Sequence, residues 1–206
     1  MAKLNGPLFS FGARGKLGGA LVFTPWKGLN NVRRYVIPAN PKTAAQTTQR
    51  GKLSAAVAAV HAAMVAAEPL DSLDKAAYAV WASVVKASTT WFNQACKNHI
   101  DVSVAGDTPT VFRGGALTPG DGEIAIEVYS DEIDGTNITA GKFYYGTTPT
   151  ALLDSIAATI TGGSNKADKT ITGLVNGTKY YIQFVVDTGE NCEGAKSGIY
   201  TSTPAA

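Results

Sequence analysis

Few residues in this chain have the type and spacing to do chemistry. Gly12-Ala-Arg-Gly-Lys16 has part of a phosphate-binding pattern. That loop also needs a glycine five residues before its Gly-Lys pair and a hydroxyl after it to reach magnesium, and those positions hold Ser10 and Leu17. The only histidines, His61 and His99, have no Glu or second His at metal-binding spacing. Cys96 and Cys192 form no CxxC or CxxH unit, so structural or free thiols are expected rather than a disulfide framework or a zinc site. Asp131-Glu-Ile-Asp-Gly135 offers oxygens for calcium but lacks the alternating positions and the downstream glutamate of an EF-hand, and reads as solvated loop carboxylates. No Ser or Cys pairs credibly with a base. The expectation is a protein that is not an enzyme and has no metal or cofactor.

Charge is more informative. Residues 1–67 contain nine Lys and Arg and no Asp or Glu, whereas residues 101–206 contain six basic and thirteen acidic residues. A formal net charge of +2 therefore conceals a cationic N-terminal part and an acidic C-terminal part. The basic arm could dock on neighbouring protein subunits or contact packaged DNA, with Phe23, Trp26 and Tyr35 as interleaved stacking groups. Protein contacts are favoured, because sequence-independent DNA binders carry more bases per residue and these aromatics lie in apolar, strand-like runs. The residues expected to carry docking are Arg14, Lys16, Trp26, Lys27, Arg33, Arg34 and Tyr35.

The elements that must position them fall into three stretches. Residues 1–40 are rich in Gly and Pro between short apolar runs, which suits a hairpin or an extended arm but closes no core alone. Residues 41–100 are alanine-rich and predict a helical hairpin. Its first helix starts at Asn40-Pro41 or at the Thr43-Ala-Ala-Gln46 capping box and runs to about Ala67, with Leu53, Val57, Val60 and Met64 on one stripe. The second is capped by Asp71 or Ser72 and has Leu73, Ala77, Val80, Trp81, Val84 and Val85 on its apolar face, with a shorter piece at Trp91, Phe92 and Ala95. Helical character fades after Asn98. Strands are expected at Glu123–Tyr129, Lys142–Gly146, Lys169–Leu174, Thr178–Val186 and Gly198–Ser202, separated by turns such as Asn176-Gly177. About seven short strands at this spacing indicate an antiparallel β-sandwich.

Leu174-Val-Asn-Gly-Thr-Lys-Tyr180, followed by alternating Ile182, Phe184 and Val186, resembles the E to F corner of fibronectin type III domains. The resemblance covers residues 108–204 and implies a tyrosine corner made by Tyr180 and Leu174. The N-terminal half carries Gly18-Gly-Ala-Leu-Val-Phe-Thr-Pro-Trp-Lys-Gly28 and Val32-Arg-Arg-Tyr-Val-Ile-Pro-Ala-Asn-Pro-Lys-Thr43, with Gln46, Arg50 and Trp91-Phe92-Asn93. It is similar to a group of small virion-associated proteins of tailed bacteriophages.

Together these give an α+β chain: an extended N-terminal arm, a helical hairpin, and a C-terminal fibronectin type III-like (Ig-like) sandwich. The function they imply is a structural virion component, in capsid decoration, neck or tail. Its expected partners are other virion proteins and further copies of itself, and packaged DNA is the competing partner. No signal peptide and no apolar run of bilayer length are present. Assembly in the host cytoplasm and residence in the virion, with no membrane partner, are therefore expected. The alternative is a carbohydrate-binding or adhesion module that meets a host surface glycan through Tyr129, Tyr144, Tyr145, Tyr181 and Tyr200.

Overall fold

A computed structural model describes residues 15–26, 29–40, 42–86 and 90–205. It has three helices and eleven strands, all paired antiparallel, in a mixed α+β chain. Contacts divide the chain into two units, Met1–Thr43 and Ala44–Ala206.

The first unit contains a three-stranded meander of β1 (Gly15–Leu17), β2 (Leu21–Trp26) and β3 (Leu29–Arg34). The β1–β2 turn is closed by the Ala20 N–H donating to the Leu17 carbonyl at 3.0 Å. Its central residues, Gly18 and Gly19, both have positive φ (56° and 76°), the conformation a tight hairpin turn needs and most side chains resist.

In the second unit, α1 (Ala44–Ala63) buries Ala56, Val60 and Ala63. The buried stripe is therefore rotated from the expected one, and Leu53 and Met64 are exposed. Alanine explains the shift: the small side chains let α1 approach α3 closely, and the cluster they enter includes Ala95 and Cys96. The helix α2 (Ser72–Val85) begins with an Asp71–Asp74 capping box and ends at Lys86, whose φ is 56°. The third helix, α3 (Trp91–Ala105), is capped by Thr90 and stopped by Gly106. The expected hairpin is thus a three-helix arrangement. Ile100, Val102 and Val104 have strand propensity, yet they continue α3 because Val102 packs into the sheet core.

Two four-stranded sheets follow. One has the order β4 (Arg113–Gly120), β5 (Glu123–Tyr129), β9 (Lys166–Thr172), β8 (Thr159–Thr161). The other has the order β11 (Tyr200–Ser202), β10 (Tyr180–Val186), β6 (Gly141–Gly146), β7 (Asp154–Ala157). Alternation sends Ile124, Ile126 and Val128 of β5 and Ile182, Phe184 and Val186 of β10 into one shared core. Phe184 stands edge-on to Phe112 with ring centroids 5.2 Å apart, and Phe143 lies at the same separation from it, tilted.

The helices are locked to the sheets by one buried carboxylate. Asp74 Oδ1 accepts from the Tyr200 hydroxyl at 2.6 Å and from the Gly115 N–H at 3.0 Å, while Oδ2 accepts from the Asp71 N–H at 3.2 Å. The Tyr78 hydroxyl donates to the Phe112 carbonyl, and the Ile199 N–H donates to the Ala77 carbonyl. Glycine is required at two of these approaches. A Cβ on Gly115 would lie 2.4 Å from the Tyr200 ring, and one on Gly198 would lie 2.7 Å from Ala77.

Candidate docking interface

Register across the meander fixes which residues share a face. Lys16 opposes Val22, and Val22 opposes Arg33, so the three form one row. Tyr35 follows Arg33 by two residues and falls on the same side. Lys16 Nζ sits 3.7 Å from the centre of the Tyr35 ring, a cation–π contact. These four residues, with Arg34, Val36 and Pro38, border a groove of about 510 Å³. Among the described residues, no salt bridge reaches Lys16, Arg33 or Arg34.

The other face is apolar apart from Arg34. Phe23 opposes Gly15 and Val32, and Leu21 opposes Leu17 and Arg34. Val32 is 53% exposed and Leu21 38%, and Val36 and Ile37 beyond the strand are more exposed still. Among the described residues, the three strands thus present Lys16 and Arg33 on one side and exposed Leu21 and Val32 beside Arg34 on the other, and such a sheet closes no core of its own.

The structure brings Lys16, Arg33 and Tyr35 together and places Arg34 one step out of their row. Trp26 pairs with Leu29 through the backbone at the end of the β2–β3 ladder. Arg14 and Lys27 lie outside the described residues. Phe23 and Tyr35, expected to act together as stacking groups, occupy opposite faces.

In the second unit, the Tyr180 hydroxyl accepts from the Val175 N–H at 3.1 Å, and the Leu174 N–H donates to the Gly122 carbonyl at 2.8 Å. Both side chains pack half-buried against the sheet core. The five tyrosines weighed for glycan stacking are dispersed. Tyr200 is fully buried, Tyr145 packs on the core and Tyr129 belongs to the other sheet, leaving Tyr144 and Tyr181 on the outer side of theirs.

One end of this unit is strongly acidic, a feature that sequence reading divided among separate loops. Asp134 Oδ1 accepts from the Thr136 N–H and hydroxyl and from the Asn137 N–H, at 2.7 to 2.8 Å. These bonds, that from Asn137 foremost, hold its carboxyl at about 2. The Asn137 amide donates to Glu132 and Asp134 and accepts from Asn191, and Glu190 accepts from the Thr139 N–H and hydroxyl. Residues 130–140 are thereby tied to residues 187–195. Burial, then the charges of Asp134 and Asp131, raise the Glu132 carboxyl. Beneath them the Cys192 thiol is pushed up to about 12, first by burial and then by Glu132, Asp134, Asp107 and Glu190. Arg113 pairs with Asp131 there.

The remaining chemical candidates are dispersed. Lys16 and Leu17 belong to an antiparallel strand, whereas a phosphate loop leads into a helix N-terminus. His61 is exposed on α1 with its ring edge-on to Phe92, and His99 is buried on α3, where burial lowers its pKa. Cys96 and Cys192 are both free and buried. Among the described residues, no helix is long and apolar enough to cross a membrane. No protein-family model matches the chain, and no curated protein matches it.

Proposed function

We propose that this chain is a non-enzymatic structural component of a tailed-bacteriophage virion, in capsid decoration, neck or tail, that docks through its basic N-terminal part and displays a fibronectin type III/Ig-like domain. The observation that carries the docking role is the two-faced sheet of β1–β3, with Lys16 and Arg33 on one side and exposed Leu21 and Val32 beside Arg34 on the other, ahead of a unit that fills its own core. The likeness of residues 18–43 to virion-associated proteins supplies the setting.

The strand orders β4-β5-β9-β8 and β11-β10-β6-β7 parallel the ABED and GFCC′ arrangement of Ig-like sandwiches, and this supports the domain reading. The Tyr180 hydroxyl bond to backbone five residues upstream supports it further. Phe112, Phe143 and Phe184 fill the centre where such domains commonly place a tryptophan.

The test is a chain beginning at Ala44. Purified, it should melt as the full chain does, because both hydrophobic clusters are built from residues of that unit. Supplied during phage assembly in place of the full chain, it should be missing from the particles by mass spectrometry. Incorporation at normal levels would overturn the reading.

A further inference from the structure

We propose that the cationic face of the N-terminal sheet is covered by the acidic end of the main unit of a second copy, so that copies join head to tail. This rests on the docking reading above and names the partner. Lys16 and Arg33 lie in one row on an exposed face beside Tyr35, and no salt bridge reaches either cation among the described residues. In the main unit, Asn137 holds Glu132 and Asp134 and is bonded to Asn191, while Thr139 holds Glu190, so these carboxylates gather at one end. A cationic face on that end would reduce the mutual repulsion of the carboxylates, while their hydrogen bonds hold them in place. Every copy carries one pole of each sign, so complementarity is met at equal stoichiometry without another protein.

Nucleic acid fits less well. One row offers two described cations, few for a polyphosphate, and residues 101–206 carry seven more acids than bases, which would repel the duplex. A contact between two different patches is heterologous, and it closes a ring or extends a filament according to the rotation between copies.

The experiment uses the full-length chain in two variants. One reverses the sheet face, Lys16→Glu with Arg33→Glu. The other neutralises the acidic end, Asp131→Asn, Asp134→Asn and Glu190→Gln, changes that keep an acceptor oxygen for the loop bonds. Sedimentation should show salt-sensitive association of the wild type, and each variant alone should associate on the order of tenfold more weakly. Mixed one to one, the variants should form a heterodimer that grows no further, because one intact junction remains between them. Cooperative thermal melts, lowered in the acidic-end variant by loss of the Arg113 ion pair and of the Asp134 charge, would show that both variants still fold.

Variants that associate as the wild type does, or a mixture that stays monomeric after each variant alone has lost association, would overturn the proposal. So would a wild type that remains monomeric alone and binds only duplex DNA. If self-association is absent while particle entry still requires residues 1–43, head-to-tail joining fails and the docking reading survives.

Discussion

Val32 in the N-terminal sheet and Val128 in the main unit occupy comparable places in antiparallel strands, yet the first is 53% exposed and the second is fully buried. The local backbone is satisfied in both. What differs is the second layer: Val128 faces the strands of the opposite sheet, whereas Val32 is left half exposed, with no covering layer among the described residues of the first unit. A strand pattern thus records which residues share a face, and only a packed partner makes that face a core. The main unit brings its partner layer with it. On the reading proposed above, the meander finds one in a neighbouring subunit.

The largest expected effect tests whether the main unit is one body. Asp74 binds the Gly115 N–H, the Tyr200 hydroxyl and the Asp71 N–H with no exposure to solvent. Asp74→Ala would orphan two donors between α2 and the sheets and should cost on the order of 3–5 kcal/mol in denaturant melts of the full chain. A loss below about 1 kcal/mol would mean that Asp74 is not what joins α2 to the sheets.

The same residue predicts a pH dependence. Burial raises the Asp74 carboxyl above its ordinary 3.8, so the folded chain holds that proton more tightly than the unfolded chain does. Its contribution to stability is therefore fully present below the ordinary carboxylate value and is lost as pH rises through the raised folded value. Asp134 has the opposite sign. Held at about 2, it supports the fold above the ordinary value and loses that support as pH falls toward about 2. Melts of Asp74→Asn against wild type should differ in slope in the upper window, and a constant offset across it would assign the cost of the substitution to shape.

Much of the main unit is legible in the sequence. Strand β5 has the expected limits, and the Asn176-Gly177 turn lies between β9 and β10 as its composition indicates. Strand β4 is hidden by Gly114, Gly115 and Pro119, which look like loop residues. Gly115 is there because the ring of Tyr200 fills the space of a side chain. Asp71 reads as a helix cap, which it is, but nothing local marks Asp74, whose partner Tyr200 lies 126 residues further on. The acidic end is illegible for the same reason, since its loops meet only through long-range pairing. In the meander, alternation places Lys16 with Arg33 once the register is known, and the sequence alone treats Arg33 and Arg34 as one pair.

Intermediate effects should separate the two sides of β10. Tyr180→Phe removes the bond from the Val175 N–H at a half-buried site and should cost about 1 kcal/mol. Tyr181→Phe, on the outer side, should stay within about 0.5 kcal/mol. Equal costs in parallel melts would mean that the hydroxyl bond does not anchor the corner. Val128→Thr, which puts a hydroxyl where neighbouring side chains offer no partner, should cost about 1–3 kcal/mol.

The smallest effect is the most telling for the comparison. Val32→Thr makes the same chemical change as Val128→Thr, in a strand that already exposes the position to water. Threonine keeps the β-branch and its strand preference, so the ladder with Phe23 survives, and the hydroxyl finds solvent. In dilute full-length protein, the melt of the main unit should shift by less than about 0.5 kcal/mol. A shift as large as that of Val128→Thr would mean that the face of Val32 is covered within the single chain. The difference between the two valines would then vanish, and with it the reason for assigning the meander to an interface.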